Sequence, residues 1–272
     1  GSGWPLSETH SNGGWWLYFD ENNQVSFGMV IDLSYHNPYL SPFDELQRLK
    51  THPLIRNILE GGKRLSYGAR ALTKGGLNSL PKLYFAGGVL VGDDAGFLNP
   101  AKIKGTHTAI KSGMLAAEAV YEAIAAGRQH DEVPTYEQKF KASWLYNDMY
   151  QARNFANAMH RMGIWMGGAF NFLEQNIFKG KMPLTIRDRM PDYDVLERAD
   201  HAYIPEYPKP DGKLTFDKLS SVFISNTNHA EDQPCHLKLT DPDVPIKRNL
   251  KIFAEPAQRY CPAGVYELVQ SD

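Results

Sequence analysis

The stretch from Gly92 to Glu118, GDDAGFLNPAKIKGTHTAIKSGMLAAE, constrains the fold more than any other. It reads as a strand end, a glycine-lined turn and a helix start in immediate succession. Leu83 to Phe85 and Val89 to Val91 are short apolar runs of strand type, and Gly92 and Gly96 permit a backbone approach that a Cβ would block. Asp93 follows the strand directly, where a carboxylate accepts hydrogen bonds from sugar-type hydroxyls. Gly105 and Thr106 open a helix whose unpaired N–H groups and positive dipole end suit an electron-rich carbonyl or an anionic ring. His107 shares that helix end, with a structural and a ligand-facing role both open. Ala109, Ile110, Gly113, Ala116, Ala117 and Val120 predict a thin helix face that packs on a sheet. Glycines of this kind also occur in plain strand-loop-helix joints that hold no ligand.

Elsewhere, Gly14 to Phe19 and Val25 to Ile31 flank Asp20-Glu21-Asn22-Asn23, a hairpin signal. Ser41-Pro42-Phe43-Asp44 combines a capping residue, a first-turn proline and an acid, predicting a helix from Pro42. Pro53 to Leu59 predicts a second short helix, Leu65 to Leu72 a strand, Lys82 to Val91 one or two strands, and the long helix ends near Ala125. Thr135 to about Phe155 reads as helical. Past Pro183 the chain is proline-rich, with short strands expected near Leu214 to Phe216, His236 to Leu239 and Leu250 to Phe253.

Met162 to Phe178 reads as a helix whose apolar face, with Trp165, Met166, Phe170, Leu173 and Ile177, is wider than one buried stripe requires. It carries no charge from Gly163 to Leu173, a length of about 17 Å, too short to cross a bilayer. Arg161, Lys179 and Lys181 flank it. A core helix and a helix lying in a membrane interface both fit this pattern.

The net charge of −2 gives no basic excess for nucleic acid. The two cysteines, Cys235 and Cys261, exclude a disulfide-dense secreted scaffold. No signal peptide and no bilayer-length apolar run is evident. A G-x-G-x-x-G unit for the ADP half of a dinucleotide is not found. Cys235 with His229 and His236 matches no standard metal spacing.

The strings G-D-x-A-G-x-x-x-P and K-G-T-H-x-A-x-x-S-G from Gly92 to Gly113 resemble the second FAD motif of the glutathione-reductase-like flavoproteins. Together with Gly3-Trp4-Pro5-Leu6, Asn37 to Phe43, Glu60 to Arg64, Tyr67 to Leu72, Tyr207 to Gly212, Leu219 to Ser221 and Cys261 to Glu267, they resemble the electron-transfer flavoprotein:ubiquinone oxidoreductases in order and along nearly the whole chain.

That resemblance implies an α+β or α/β fold: part of a glutathione-reductase-like FAD domain, an inserted quinone-binding domain and the start of a ferredoxin-like iron-sulfur domain. The implied segments are 1–62 (quinone-binding), 63–128 (second flavin motif), 129–200 (helical, with the membrane-contact helix) and 201–272 (iron-sulfur). It assigns Gly92, Asp93, Gly96, Gly105, Thr106 and His107 to FAD and Gly13 and Gly14 to ubiquinone, although by sequence alone the latter pair also fits a bulge or tight bend. Ser11-Asn12 before that pair, and an acid at Asp93, depart from the family's usual residues. Cys261, otherwise a small buried hydrophobe, becomes one of four ligands of a [4Fe-4S] cluster. The other three belong to a later C-x2-C-x2-C that is not met before Asp272, so the chain reads as a partial sequence, expected to be inactive alone. Tyr266 lies near enough in sequence to bond a cluster sulfur. The implied enzyme is an electron-transferring-flavoprotein dehydrogenase serving fatty acid and amino acid oxidation. It takes electrons from reduced electron-transfer flavoprotein through the cluster and FAD to ubiquinone, peripherally on the bacterial or mitochondrial inner membrane. The alternatives are a reductase of the geranylgeranyl reductase type and a non-catalytic, membrane-associated chain.

Overall fold

The computed structural model describes residues 1–187, 190–234 and 237–270. The chain divides into two compact units, one made of Gly1–Ala69 with Met190–Asp272 and the other of Arg70–Arg189. Helices accompany two small antiparallel two-stranded sheets, an α+β arrangement.

The first unit opens with the expected hairpin, β1 (Gly13–Asp20) paired with β2 (Gln24–Ile31) in unbroken register from Gly13 opposite Ile31 to Asp20 opposite Gln24. Asn22 and Asn23 take the left-handed conformation at its turn, which asparagine tolerates better than most residues. Helix α1 (Pro42–Lys50) begins where the cap signal placed it: the Asp44 amide donates to Ser41 Oγ. Helix α2 spans Pro53–Leu59.

The two stretches of this unit, far apart in sequence, are joined by polar contacts. Tyr207 Oη donates to Glu45 Oε1 at 2.9 Å and accepts from the Ser41 amide at 3.0 Å. The Phe216 amide donates to Gln47 Oε1, Asn37 Nδ2 to the Tyr203 carbonyl, and Arg64 to the hydroxyls of Ser220 and Ser221. Burial pushes the Glu45 carboxyl above its ordinary range against the pull of Tyr207 and Arg48. Leu65–Leu72 and Leu214–Phe216 form no strand, and Leu250–Phe253 ends a helical segment, Pro245–Leu250 followed by Lys251–Phe253. Around Leu214–Phe216, side-chain bonds satisfy the backbone locally. Asp211, for example, accepts from the amides of Lys213, Leu214 and Thr215. Of the run expected as a strand near His236, that residue lies outside the described residues and 237–239 carry no regular structure.

The second unit holds β3 (Tyr84–Phe85) and β4 (Gly88–Val89), shorter than the sequence suggested, then the one-turn α3 (Gly92–Ala95) and the long α4 (Thr106–Ala125). The expected helix from Thr135 to Phe155 is divided into α5 (Pro134–Ala142) and α6 (Trp144–Gln151) at Ser143, whose backbone is extended. Leu115, Ala116, Ala119 and Ala123 of α4 pack with Tyr136, Phe140, Leu145 and Met149, so this helix rests on α5 and α6. That corrects the expected packing on a sheet: Ile110 and Ala117 face outward, while Thr108, Ser112 and Leu115 set the buried side.

Helix α7 (Phe155–Phe172) differs most from expectation, because it reverses at Gly163 (φ 69°, ψ −178°). Asn171 Nδ2 donates to the Phe155 carbonyl at 3.0 Å, and a Cβ on Gly167 would stand 2.7 Å from the Ala158 carbonyl. The two arms therefore run antiparallel as a helical hairpin, and the second arm starts after Gly163, not at Met162.

In the first unit, Lys50 sits against the Phe216 ring with its Nζ on Gln47 Oε1. Burial, with Arg64 nearby, pulls its pKa from 10.5 down to about 8. A folded amine that surrenders its proton early opposes folding while it is charged, so this contribution to stability rises as pH climbs from about 8 toward the ordinary lysine value. Lys50→Met should then gain thermal midpoint relative to the parent chain as the pH is lowered from about 10 to about 7, and a difference independent of pH would contradict the assignment.

Candidate functional site

In the second unit, Val91 is extended and Gly92 enters the left-handed region (φ 58°), with its amide donating to Ser112 Oγ at 2.9 Å. A Cβ there would also press on Ala109 Cβ at 3.3 Å, so glycine serves both the turn and its packing on α4. After the single turn of α3, Gly96 (φ 90°) donates its amide to the Asp93 carbonyl and Phe97 donates to the Gly92 carbonyl, a Schellman-type ending. Asp93 thus lies in a helical turn, not directly in a loop after the strand. Its carboxylate is half-buried and makes no hydrogen bond or ion pair among the described residues. Asp94 is exposed and paired with Arg70 at 3.0 Å.

Gly105 precedes α4, whose first turn has no side-chain cap. Thr108 Oγ1 instead donates to the carbonyls of Gly105 and Phe97, leaving the amides of Thr106 and His107 directed outward from the helix start. The His107 ring stacks on Trp144 at 6.1 Å, and its Nε2 lies 3.5 Å from Asp148 Oδ2. Asp148 also accepts from Asn99 and Lys102. Although burial works to raise its carboxyl, those partners and His107 hold it below the ordinary range. Gly92, Asp93 and Gly96 thus form one turn against the helix that Gly105, Thr106 and His107 begin. Ser112 was legible as the residue four after Thr108 on the same helix face; nothing in the sequence marked Asp148 or Trp144.

In the first unit, Gly13 and Gly14 begin β1 in regular pairing, without a bulge. A Cβ on Gly13 would meet the Val30 carbonyl and stand 2.8 Å from Leu6 Cδ1, so this end of the hairpin closes on the turn Leu6–Thr9.

Cys261 follows the short helix Ala257–Tyr260 and is a buried free thiol. The Val265 amide donates to its Sγ at 3.4 Å, and Gly264 turns the chain at φ 65°. Burial pushes the thiol up, but the amides of Val265, Ala263 and Gly264 and the Lys218 ammonium outweigh it and hold the thiol below its ordinary value. This N–H surround suits one corner of an iron-sulfur cage. Four thiolates are not available, since the chain has two cysteines and no group of three or more metal-type ligands occurs among the described residues. Cys235 and His236 lie outside them.

The second arm of α7, with the π-helical turn Leu173–Ile177 that continues it, is polar inside and apolar outside. Gly167, Asn171 and Glu174 are buried, with Glu174 Oε1 accepting from Asn154 Nδ2 at 2.6 Å. Ile164, Trp165, Met166, Phe172, Leu173, Ile177 and Phe178 are exposed, Trp165 to 88%. No helix of the described residues is long and apolar enough to cross a membrane.

A glycine turn against an uncapped helix start, and a buried thiol ringed by amides elsewhere in the chain, are arrangements that can hold cofactors. The chain belongs to the electron-transfer flavoprotein-ubiquinone oxidoreductase family. The family model for its ubiquinone-binding region matches residues 1–72, and the model described as electron transfer flavoprotein-ubiquinone oxidoreductase, 4Fe-4S, matches residues 212–272. The chain is 62% identical over 287 residues to the probable oxidoreductase of this name from Acinetobacter baylyi, covering 99% of this chain and 50% of that protein. It is 62% identical over 272 residues to the Pseudomonas aeruginosa protein, covering 100% and 49%. For the human mitochondrial protein the identity is 47% over 275 residues, covering 98% and 44%. The chain thus spans about half the length of the curated relatives it matches.

With one matched thiolate, the 272-residue chain should assemble no cluster. Anaerobic reconstitution giving about four irons per chain and a reduced-cluster EPR signal would refute this.

Proposed function

We propose that this chain contributes the quinone-binding, flavin-facing and first cluster-ligand parts of an enzyme that moves electrons from reduced electron-transfer flavoprotein to ubiquinone at a membrane surface. The observation that carries the reading is family identity along the whole chain, coinciding with an unpartnered carboxylate beside an uncapped helix start.

FAD, when bound, supplies a carrier that accepts electrons and delivers them to a quinone. The residues present fit its ring end. Asp93, half-buried and without a partner among the described residues, would accept hydrogen bonds from the sugar-chain hydroxyls, and Gly92 and Gly96 would keep side chains out of the approach. The amides at Gly105, Thr106 and His107, at the positive end of α4, would favour added negative charge on a bound ring. Asp148 and Trp144 orient His107 sideways, which keeps the helix start open. The family resemblance supports reading this part of the chain as a segment of an FAD domain. Gly13 and Gly14 would take the quinone-facing role that the resemblance implies, at the end of the hairpin that closes on Leu6–Thr9. Cys261 would hold one iron, with the surrounding amides and Lys218 favouring its charged form.

The membrane contact falls to the second arm of α7. Its outward apolar stripe, running about 22 Å from Ile164 to Phe178, has no packed partner among the described residues of its unit, whereas its polar residues are the buried ones. Peripheral attachment to a bacterial or mitochondrial inner membrane follows.

In the full-length protein, Asp93→Ala should weaken FAD retention about ten- to hundredfold, the scale of a lost charged hydrogen bond, with quinone affinity little changed. Dialysis showing unchanged FAD affinity would remove Asp93 from the site. Replacing Trp165, Phe172 and Phe178 by Ser should release the full-length protein from liposomes with little change in thermal midpoint. Core residues would instead cost about 2 to 5 kcal/mol each, so an unfolded triple variant, or one that still pellets with vesicles, speaks for a buried helix.

A further inference from the structure

The segment that carries the apolar arm also carries a one-sided charge. From residue 149 to residue 187 the only acid is Glu174, which is fully buried on the inner face of the hairpin. The five arginines and lysines of this stretch divide differently: Arg187 is exposed at its end, and the other four lie in or beside the hairpin. Arg153 is buried and spends its guanidinium on the carbonyls of Tyr150, Gly180, Met182 and Leu184. Arg161, Lys179 and Lys181 are exposed and make no ion pair among the described residues.

Their places in the fold follow from the reversal at Gly163. Arg161 lies next to the tip of the hairpin, beside Ile164 and Trp165. Lys179 and Lys181 lie at the base, where Gln175 Nε2 donates to the Gln151 carbonyl and Gly180 packs on Gln151 so closely that a Cβ would collide. The outward apolar stripe is therefore bracketed at both ends by uncompensated cations. A soluble protein core has no use for such an arrangement, and long basic side chains flanking an apolar stripe reach outward to anions at the level where the stripe is buried.

We propose that this hairpin is a docking surface selective for a bilayer bearing anionic phospholipid headgroups, with Arg161, Lys179 and Lys181 contacting the headgroup phosphates while Trp165, Phe172 and Phe178 enter the acyl boundary. The proposal rests on the membrane reading given above and adds the chemistry of the lipid. The apolar stripe supplies attachment to any bilayer, and the three cations supply the choice among bilayers.

The test is co-sedimentation of the full-length protein with vesicles of phosphatidylcholine alone and of phosphatidylcholine mixed with phosphatidylglycerol, at low and high salt. Partition into the mixed vesicles should exceed that into phosphatidylcholine, and the excess should shrink in high salt. The variant Arg161→Gln/Lys179→Gln/Lys181→Gln should lose about fivefold in partition per cation on the mixed vesicles and keep its partition on phosphatidylcholine. Arg161→Lys/Lys179→Arg/Lys181→Arg should retain the preference, and unchanged thermal midpoints confirm that both variants fold. Equal binding of the parent protein to both vesicle types overturns anionic selection and leaves the membrane reading standing; binding to neither overturns both. A preference that survives in the glutamine variant overturns the assignment to these residues. So does loss of binding to an acidic soluble protein by that variant with vesicle partition unchanged.

Discussion

Two adjacent polar side chains, Arg153 and Asn154, hold the helical part of the second unit in its shape. Arg153 donates to the carbonyls of Tyr150, Gly180, Met182 and Leu184, and its guanidinium lies over the Tyr150 ring. Asn154 donates to Glu174 and to the Leu184 carbonyl, and accepts from the Ile186 amide. Buried groups of this kind are costly unless bonded, so the chain from 180 to 186 has little freedom to leave. By seizing the inward face of the second arm, these bonds also decide which residues are left outside. Asn171 and Glu174 turn inward, and the aromatic stripe has nowhere to go but outward.

The first unit is held by a different means. Its sheet is a lone hairpin, too little to sustain a domain by itself. Helix α1 compensates by presenting Glu45, Gln47 and its N-cap to residues from the far end of the chain, through Tyr207 and Phe216. The Cys261 turn belongs to the same closure: Tyr67 donates to the Pro262 carbonyl and Lys218 to the Cys261 carbonyl. The residues proposed for quinone and for iron therefore lie in one unit, whereas the turn proposed for flavin lies in the other.

What the sequence disclosed divides along physical lines. Elements with their own local signals were readable: α1 from Ser41-Pro42, α2 from its proline, the β1–β2 hairpin from its asparagines, and α4 from Gly105-Thr106. Elements whose state depends on distant partners were not. Leu65–Leu72 is apolar enough for a strand but finds no edge to pair with, and Leu250–Phe253 coils because the preceding proline-led turn continues through it. In the site, Gly92 and Gly96 were visible because their backbone geometry requires that residue type, and Asp93 because it follows Gly92 within the motif. Asp148 was not, because its meaning comes from meeting Asn99, Lys102 and His107 in space. Gly163 escaped for a subtler reason: a glycine fits helical spacing as well as alanine does, and only its positive φ shows that the chain reverses there.

That reversal has an electrostatic consequence. Each arm of the hairpin carries the dipole of its own aligned peptides, and arms running in opposite directions place the positive end of one beside the negative end of the other. At distances beyond a turn or two the two dipoles largely cancel. The hairpin therefore projects almost no backbone field of its own, and an approaching charge senses only the side chains at its two ends.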